Sequence, residues 1–142
     1  MTVSCNFVLV AERVTIGDKK PGGIDQSVWE QKFNTKGCFR GGHALLMFNI
    51  MALTYTKEKV PVMINGKIIG HILPTPGGTT TIGYPLFQSI CFHSTNLNDG
   101  DNVIRIEAPR FPTPENKEKS MAENLYDDFA LSEVVCFFQQ SS

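Results

Sequence analysis

Long apolar runs are missing from this 142-residue sequence. No stretch approaches the ~18 apolar residues that span a bilayer as a helix, so membrane insertion is not expected. The longest candidate, Ala44 to Leu53, has the length of a buried strand. Charge of one sign is missing too: 13 Lys and Arg stand against 14 Asp and Glu, for a net charge of −1. The basic residues are scattered, and affinity for a phosphate backbone rests on clustered ones, so nucleic acid is excluded as an expected partner. Met1 to Val10 has no positive lead-in, no sustained apolar core and no small-residue cleavage site; no signal peptide is read, and a cytoplasmic location is the expectation. Tryptophan occurs once, which counts against a broad polysaccharide-binding face. The cysteines, Cys5, Cys38, Cys91 and Cys136, lack the Cys-x-x-Cys spacing of a zinc ribbon. With apolar neighbours and no export signal, they read as buried, reduced thiols.

What the sequence does have is aromatic and turn-forming: 10 Phe and 12 Gly, with 42% hydrophobic residues, enough for one core. A single β-sandwich domain over residues 1–142 is expected, with a long polar loop at about 109–128. Cys5 to Thr15 reads as a strand with Phe7 and Leu9 on one face and Val8 and Val10 on the other. Trp29 and Phe33 belong to a short strand or turn. Ala44 to Leu53 is apolar on both faces, a pattern shared by a buried strand and a buried helix. Val60 to Leu73 contains Asn65-Gly66, the dipeptide that tolerates both positive φ angles of a type I′ turn. A two-residue hairpin there pairs Ile64 with Lys67 and Val62 with Ile69, and Pro61 must face an edge or a bulge. Leu86 to His93 is a further strand, and Ile104 and Ile106 alternate inward against Arg105 and Glu107. A short helix fits Lys117 to Leu125, and Phe129 to Phe138 closes the chain as a hydrophobic strand. No strand–crossover–strand rhythm occurs, which favours an antiparallel sandwich over an α/β fold.

Three segments carry a family resemblance: Val62-Met63-Ile64-Asn65-Gly66-Lys67 with Gly70, Leu97-x-x-Gly100-x-Asn102-x-Ile104-x-Ile106, and Tyr126-Asp127-Asp128-Phe129-Ala130-Leu131. In this order they resemble the galactose-binding-like jelly rolls, a superfamily with many carbohydrate-binding modules. The resemblance is closer to a small, functionally uncharacterised microbial domain family, and it covers roughly Trp29 to Phe138. It implies an all-β antiparallel jelly-roll sandwich. In the Leu-x-x-Gly-x-Asn segment, Leu anchors the loop, Gly turns it and the alternating residues form a strand. The superfamily also hosts protein contacts and scaffolding, so the fold does not fix a ligand.

Catalytic signatures are absent. There is no Gly-x-Ser-x-Gly elbow, and Gly77-Gly78-Thr79-Thr80 lacks the Lys and spacing of a P-loop. Asp127, Asp128, Glu107 and Glu133 form no evident carboxylate pair for glycoside hydrolysis. His43, His71 and His93 share no metal-binding spacing. An enzyme is therefore not expected, and a non-catalytic module recognising carbohydrate through end loops is. Such a site needs a ring to stack on a pyranose and polar groups for its hydroxyls. Tyr84, between Gly83 and Pro85, is the preferred ring, with Trp29 and Tyr126 as further aromatic candidates and Arg40, His71 and Asn124 as polar ones. No cofactor is expected beyond a possible structural calcium at Asp127 and Asp128, as the resemblance allows. The alternative is an assembly subunit that self-associates as a homo-oligomer or docks on a larger protein particle, suggested by the strands apolar on both faces.

Overall fold

Period-two alternation builds eight strands: β1 (Cys5–Ile16), β2 (Val28–Asn34), β3 (His43–Met51), β4 (Val60–Ile64), β5 (Lys67–Ile72), β6 (Leu86–His93), β7 (Asp101–Glu107) and β8 (Phe129–Gln139). The structure is a computed structural model, and it describes residues 3–17, 26–53, 59–75, 85–110 and 126–141. The strands form two four-stranded sheets in the orders β1-β8-β3-β6 and β2-β7-β4-β5. Every paired neighbour is antiparallel. Successive strands that alternate between two sheets in this order define the jelly roll. Among the described residues the only helical turn is a 3-10 turn, Ser94–Asn96.

Both sheets turn one side of their pleat inward. Leu46, Phe48 and Ile50 of β3 meet Val62 and Ile64 of β4 and Ile104 of β7 in one buried cluster. The Ala44 run is thus a strand, with its even-numbered residues buried and Leu45 and Met47 on the outer side. Phe7 and Leu9 face outward, opposite to Val10, as the alternation of β1 requires.

The Asn65-Gly66 turn forms as expected, with φ of 51° and 80°. Ile64 pairs with Lys67, but Val62 pairs with Gly70 rather than Ile69, because a bulge intervenes. The bulge places Gly70 under the opposite sheet, where an added Cβ would lie 2.4 Å from Ile90 Cγ2. Pro61 sits on an interior strand, yet β7 pairs only with Val62 to Ile64. The ladder to β7 thus ends at Pro61, which has no N–H with which to extend it. The expected helix over 117–125 lies outside the described residues. At the neck of that connection, Asp127 N donates to Pro109 O at 2.9 Å, and the Arg110 guanidinium carbon stands 5.6 Å over the Tyr126 ring.

Asn102 ties three loops together. It is buried, and its side-chain oxygen accepts from Asn98 N at 2.7 Å and from Asn65 Nδ2 at 2.9 Å. Its amide nitrogen donates to Thr35 Oγ1 at 2.8 Å and to Gly100 O at 3.0 Å. The β2–β3, β4–β5 and β6–β7 connections are therefore joined through one side chain that uses its full hydrogen-bonding capacity. Leu97 anchors the same loop in the core, as its motif implies. Replacing Asn102 with Ala should lower unfolding free energy by about 2–4 kcal/mol in urea titrations, since buried partners are left unsatisfied. A loss below about 0.5 kcal/mol, the range of ordinary surface substitutions, would show that the loops hold together without it.

Candidate functional site

Antiparallel strands send alternate connections to opposite ends of the sandwich. The β1–β2, β3–β4, β5–β6 and β7–β8 connections leave from one end, and β2–β3, β4–β5 and β6–β7 from the other. Near the first end, the edge strands β5 and β6 of the two sheets approach each other. An open groove of about 370 Å³ runs between them, lined by Lys59, His71, Leu73, Gln88 and Ser89. Gln88 fixes its floor by accepting from Leu73 N at 2.9 Å and donating to Leu73 O at 2.7 Å. That paired contact clips the end of one sheet to the edge strand of the other. Lys59, His71 and Ser89 supply a cation, an imidazole and a hydroxyl, and no carboxylate stands among the described lining residues. Phe87 lies two residues from Ser89 on the same face of β6 and is 58% exposed.

Of the residues singled out in the sequence, His71 is the one found in this groove. Trp29 is 4% exposed and forms part of the core beside Phe33, because both fall on the inward parity of β2; it cannot meet a surface ligand there. Arg40 lies at the opposite end, donating to Thr95 O at 3.2 Å. Tyr126 packs against the core under Arg110. Tyr84 and Asn124 lie outside the described residues. Asp127 is buried, and Asp128 packs over Gly17, where an added Cβ would come within 2.2 Å of its Oδ1. Calcium takes six to eight oxygens. Among the described residues no three His, Cys, Asp or Glu side chains converge, so Asp127 and Asp128 do not by themselves make a calcium site. His43 and His93, which share no metal-binding spacing in the sequence, are cross-strand partners with ring centroids 5.4 Å apart. Lys59, Phe87 and Ser89 were not singled out in the sequence. Strand parity carries a signal for two of them: with Ile90 and Phe92 inward, Phe87 and Ser89 must point outward.

No protein-family profile matches the chain, and no curated protein matches it in sequence. Solved structures do share its architecture. It is similar to a β-porphyranase of glycoside hydrolase family 86 from Bacteroides plebeius, with a TM-score of 0.58, 15% identity, and coverage of 99% of this chain and 21% of that one. The chain therefore spans about a fifth of that enzyme's length. It also aligns with a family 35 carbohydrate-binding module from Cellvibrio japonicus (TM-score 0.49, 13% identity, covering 97% and 95%) and one from Clostridium thermocellum (0.48, 16%, 95% and 98%). The first likeness agrees with the jelly-roll β-sandwich defined by the strand order. At such identities it speaks to fold and not to ligand.

All four cysteines are free thiols, but only Cys38 and Cys136 are buried. Cys5 and Cys91 are exposed, against expectation, because outward parity on β1 and β6 outweighs their apolar neighbours. Burial raises the Cys38 thiol pKa, as does nearby Asp99, while Arg40 opposes them. Burial, and then the neighbouring Cys38, push the Cys136 thiol up to about 12. Neither buried thiol is poised as a nucleophile at neutral pH. A disulfide reagent should therefore titrate Cys5 and Cys91 in the native protein and all four only after unfolding. Between an unfolded value of 9.0 and about 12, the unfolded chain gives up a Cys136 proton that the folded chain keeps. Stability should thus fall as pH rises across that window, by up to about 1.4 kcal/mol per pH unit, and less steeply in Cys136→Ala. Equal slopes in the two proteins would show that this thiol does not couple to folding.

Proposed function

We propose that this chain is a non-catalytic recognition module whose groove between β5 and β6 binds carbohydrate bearing an acidic group. The observation that carries the reading is the groove itself, lined by Lys59, His71 and Ser89, with the exposed Phe87 two residues from Ser89 on the same face of β6. A pyranose presents hydroxyls on its rim and an apolar patch of C–H groups on its face. Ser89 and His71 suit the rim, and Phe87 and Leu73 suit the face. The Lys59 ammonium suits a sugar carboxylate or sulfate. The sequence resemblance to galactose-binding-like jelly rolls supports the same ligand class. The Tyr84 ring, two residues before β6, is proposed as a second stacking surface. Asp127 and Asp128 are proposed to contribute to calcium binding only with further oxygen ligands, so binding is to be measured with and without calcium.

A panel of neutral, uronic and sulfated oligosaccharides, read by titration calorimetry, tests the proposal. Binding to acidic members should weaken with salt and fall about tenfold or more in Lys59→Met, the loss of one hydrogen bond to a charged group. Phe87→Ala should weaken binding to every member that binds, with an unchanged melting temperature. Silence across the panel in both calcium conditions would sink the reading, and preference for neutral sugars would sink its acidic part.

A further inference from the structure

At the Asn102 end of the sandwich, two imidazoles stand directly opposite one another. Ala44 and Phe92 are buried, so alternation turns His43 of β3 and His93 of β6 to the outer side, where both are exposed. The two are cross-strand partners. Ser94 N donates to Gly42 O at 2.9 Å, which makes Gly42 and Ser94 a hydrogen-bonded pair. His43 and His93 therefore occupy the next, non-hydrogen-bonded pair, where facing side chains stand closest. Their ring centroids lie 5.4 Å apart, with the ring planes at 65°. His93 is also held from its far side. As the cap of the 3-10 turn, its Nδ1 lies 3.0 Å from Thr95 Oγ1 and 3.3 Å from Thr95 N.

We propose that His43 and His93 chelate a divalent transition-metal ion of the kind that imidazole binds: zinc, nickel or copper(II). An ion about 2.0 Å from one nitrogen of each ring lies about 3.2 Å from each ring centre, and a tetrahedral angle then sets the centres about 5.2 Å apart. The observed 5.4 Å meets that requirement through ring rotation alone, without movement of either strand. Thr95 supplies the outer contact that ligating imidazoles make. With the proton on Nδ1, His93 donates to the Thr95 hydroxyl and presents its Nε2 lone pair to the metal. Among the described residues no third His, Cys, Asp or Glu side chain joins the pair, and water completes the coordination. Arg40 donates to Thr95 O at 3.2 Å and brings a positive charge to the same turn, which holds the affinity down. Calcium, which takes oxygen ligands, is not a candidate for this position. The proposal does not rest on the carbohydrate groove, which lies near the opposite end.

A zinc titration of the full chain, followed by NMR through the imidazole ring signals, reads each histidine separately. Zinc is diamagnetic and leaves the exposed thiols of Cys5 and Cys91 unoxidised. The His43 and His93 signals should shift together, with one midpoint about tenfold or more below that of His71, the third histidine. His43→Ala and His93→Ala should each raise the midpoint of the remaining ring about tenfold or more, since even the outer contacts of a metal site are worth that much. Both side chains are exposed, so the melting temperature should not change. Cys91→Ser, two residues from His93 on the same face, should leave the midpoint where it is. Ring signals that stay still up to millimolar zinc overturn the proposal, as do separate midpoints for the two rings in the wild-type chain. So does a His93 midpoint unchanged by loss of the His43 ring, or one that Cys91→Ser raises as far as His43→Ala does.

Discussion

A buried amide has to satisfy every hydrogen-bonding position it brings inside, and in this fold one amide does so by collecting three loops. Asn102 accepts from the β4–β5 hairpin and from the β6–β7 loop, and it donates to Thr35 in the β2–β3 connection. Asn65 reinforces the arrangement by donating to Asn96 O at 2.9 Å and accepting from Val103 N at 3.0 Å. Thr35 passes it on to Asn98 O at 2.8 Å. The cost of burying these groups is offset only when all are in place, so the network selects one register for β4, β5 and β7. It closes one end of the sandwich with local polar bonds and leaves the opposite end to the longer connections.

That asymmetry places the candidate site. At the Asn102 end the polar side chains are used on each other and on backbone groups. At the other end, Gln88 spends its amide on the backbone of Leu73, and Lys59, His71 and Ser89 line an open groove around it. Gly70 contributes from beneath. By lacking a Cβ it lets Ile90 of β6 approach β5, which sets the spacing of the groove walls.

How much of this was legible beforehand follows from range. The Asn65-Gly66 turn, the inward parity of Ile104 and Ile106 and the outward parity of Phe7 are local properties, and alternation or a dipeptide reveals them. The bulge at Ile69 is not local: it exists because Gly70 must meet Ile90, a residue of the other sheet. For the same reason the role of Asn102 was not legible, since two of its partners, Asn65 and Thr35, lie in segments outside its own motif. Trp29 shows the opposite error. Rarity suggested a ligand platform, whereas parity with Phe33 placed it in the core. His71 was found in a groove, but its neighbours Lys59 and Ser89 come from the residue before β4 and from β6, and only the assembly of the two sheets brings them near it.

Strand β6 joins the groove to the outer face of its sheet. Its Ser89 lines the groove, and Phe87 shares the outward parity of Ser89 and stands beside Asn49 of β3. An open groove with few polar groups leaves a ligand little surplus after the costs of ordering and desolvation. Whatever affinity the proposed site has therefore rests on walls set before the ligand arrives, and the Gln88–Leu73 clip and the close approach of Ile90 to Gly70 are what set them.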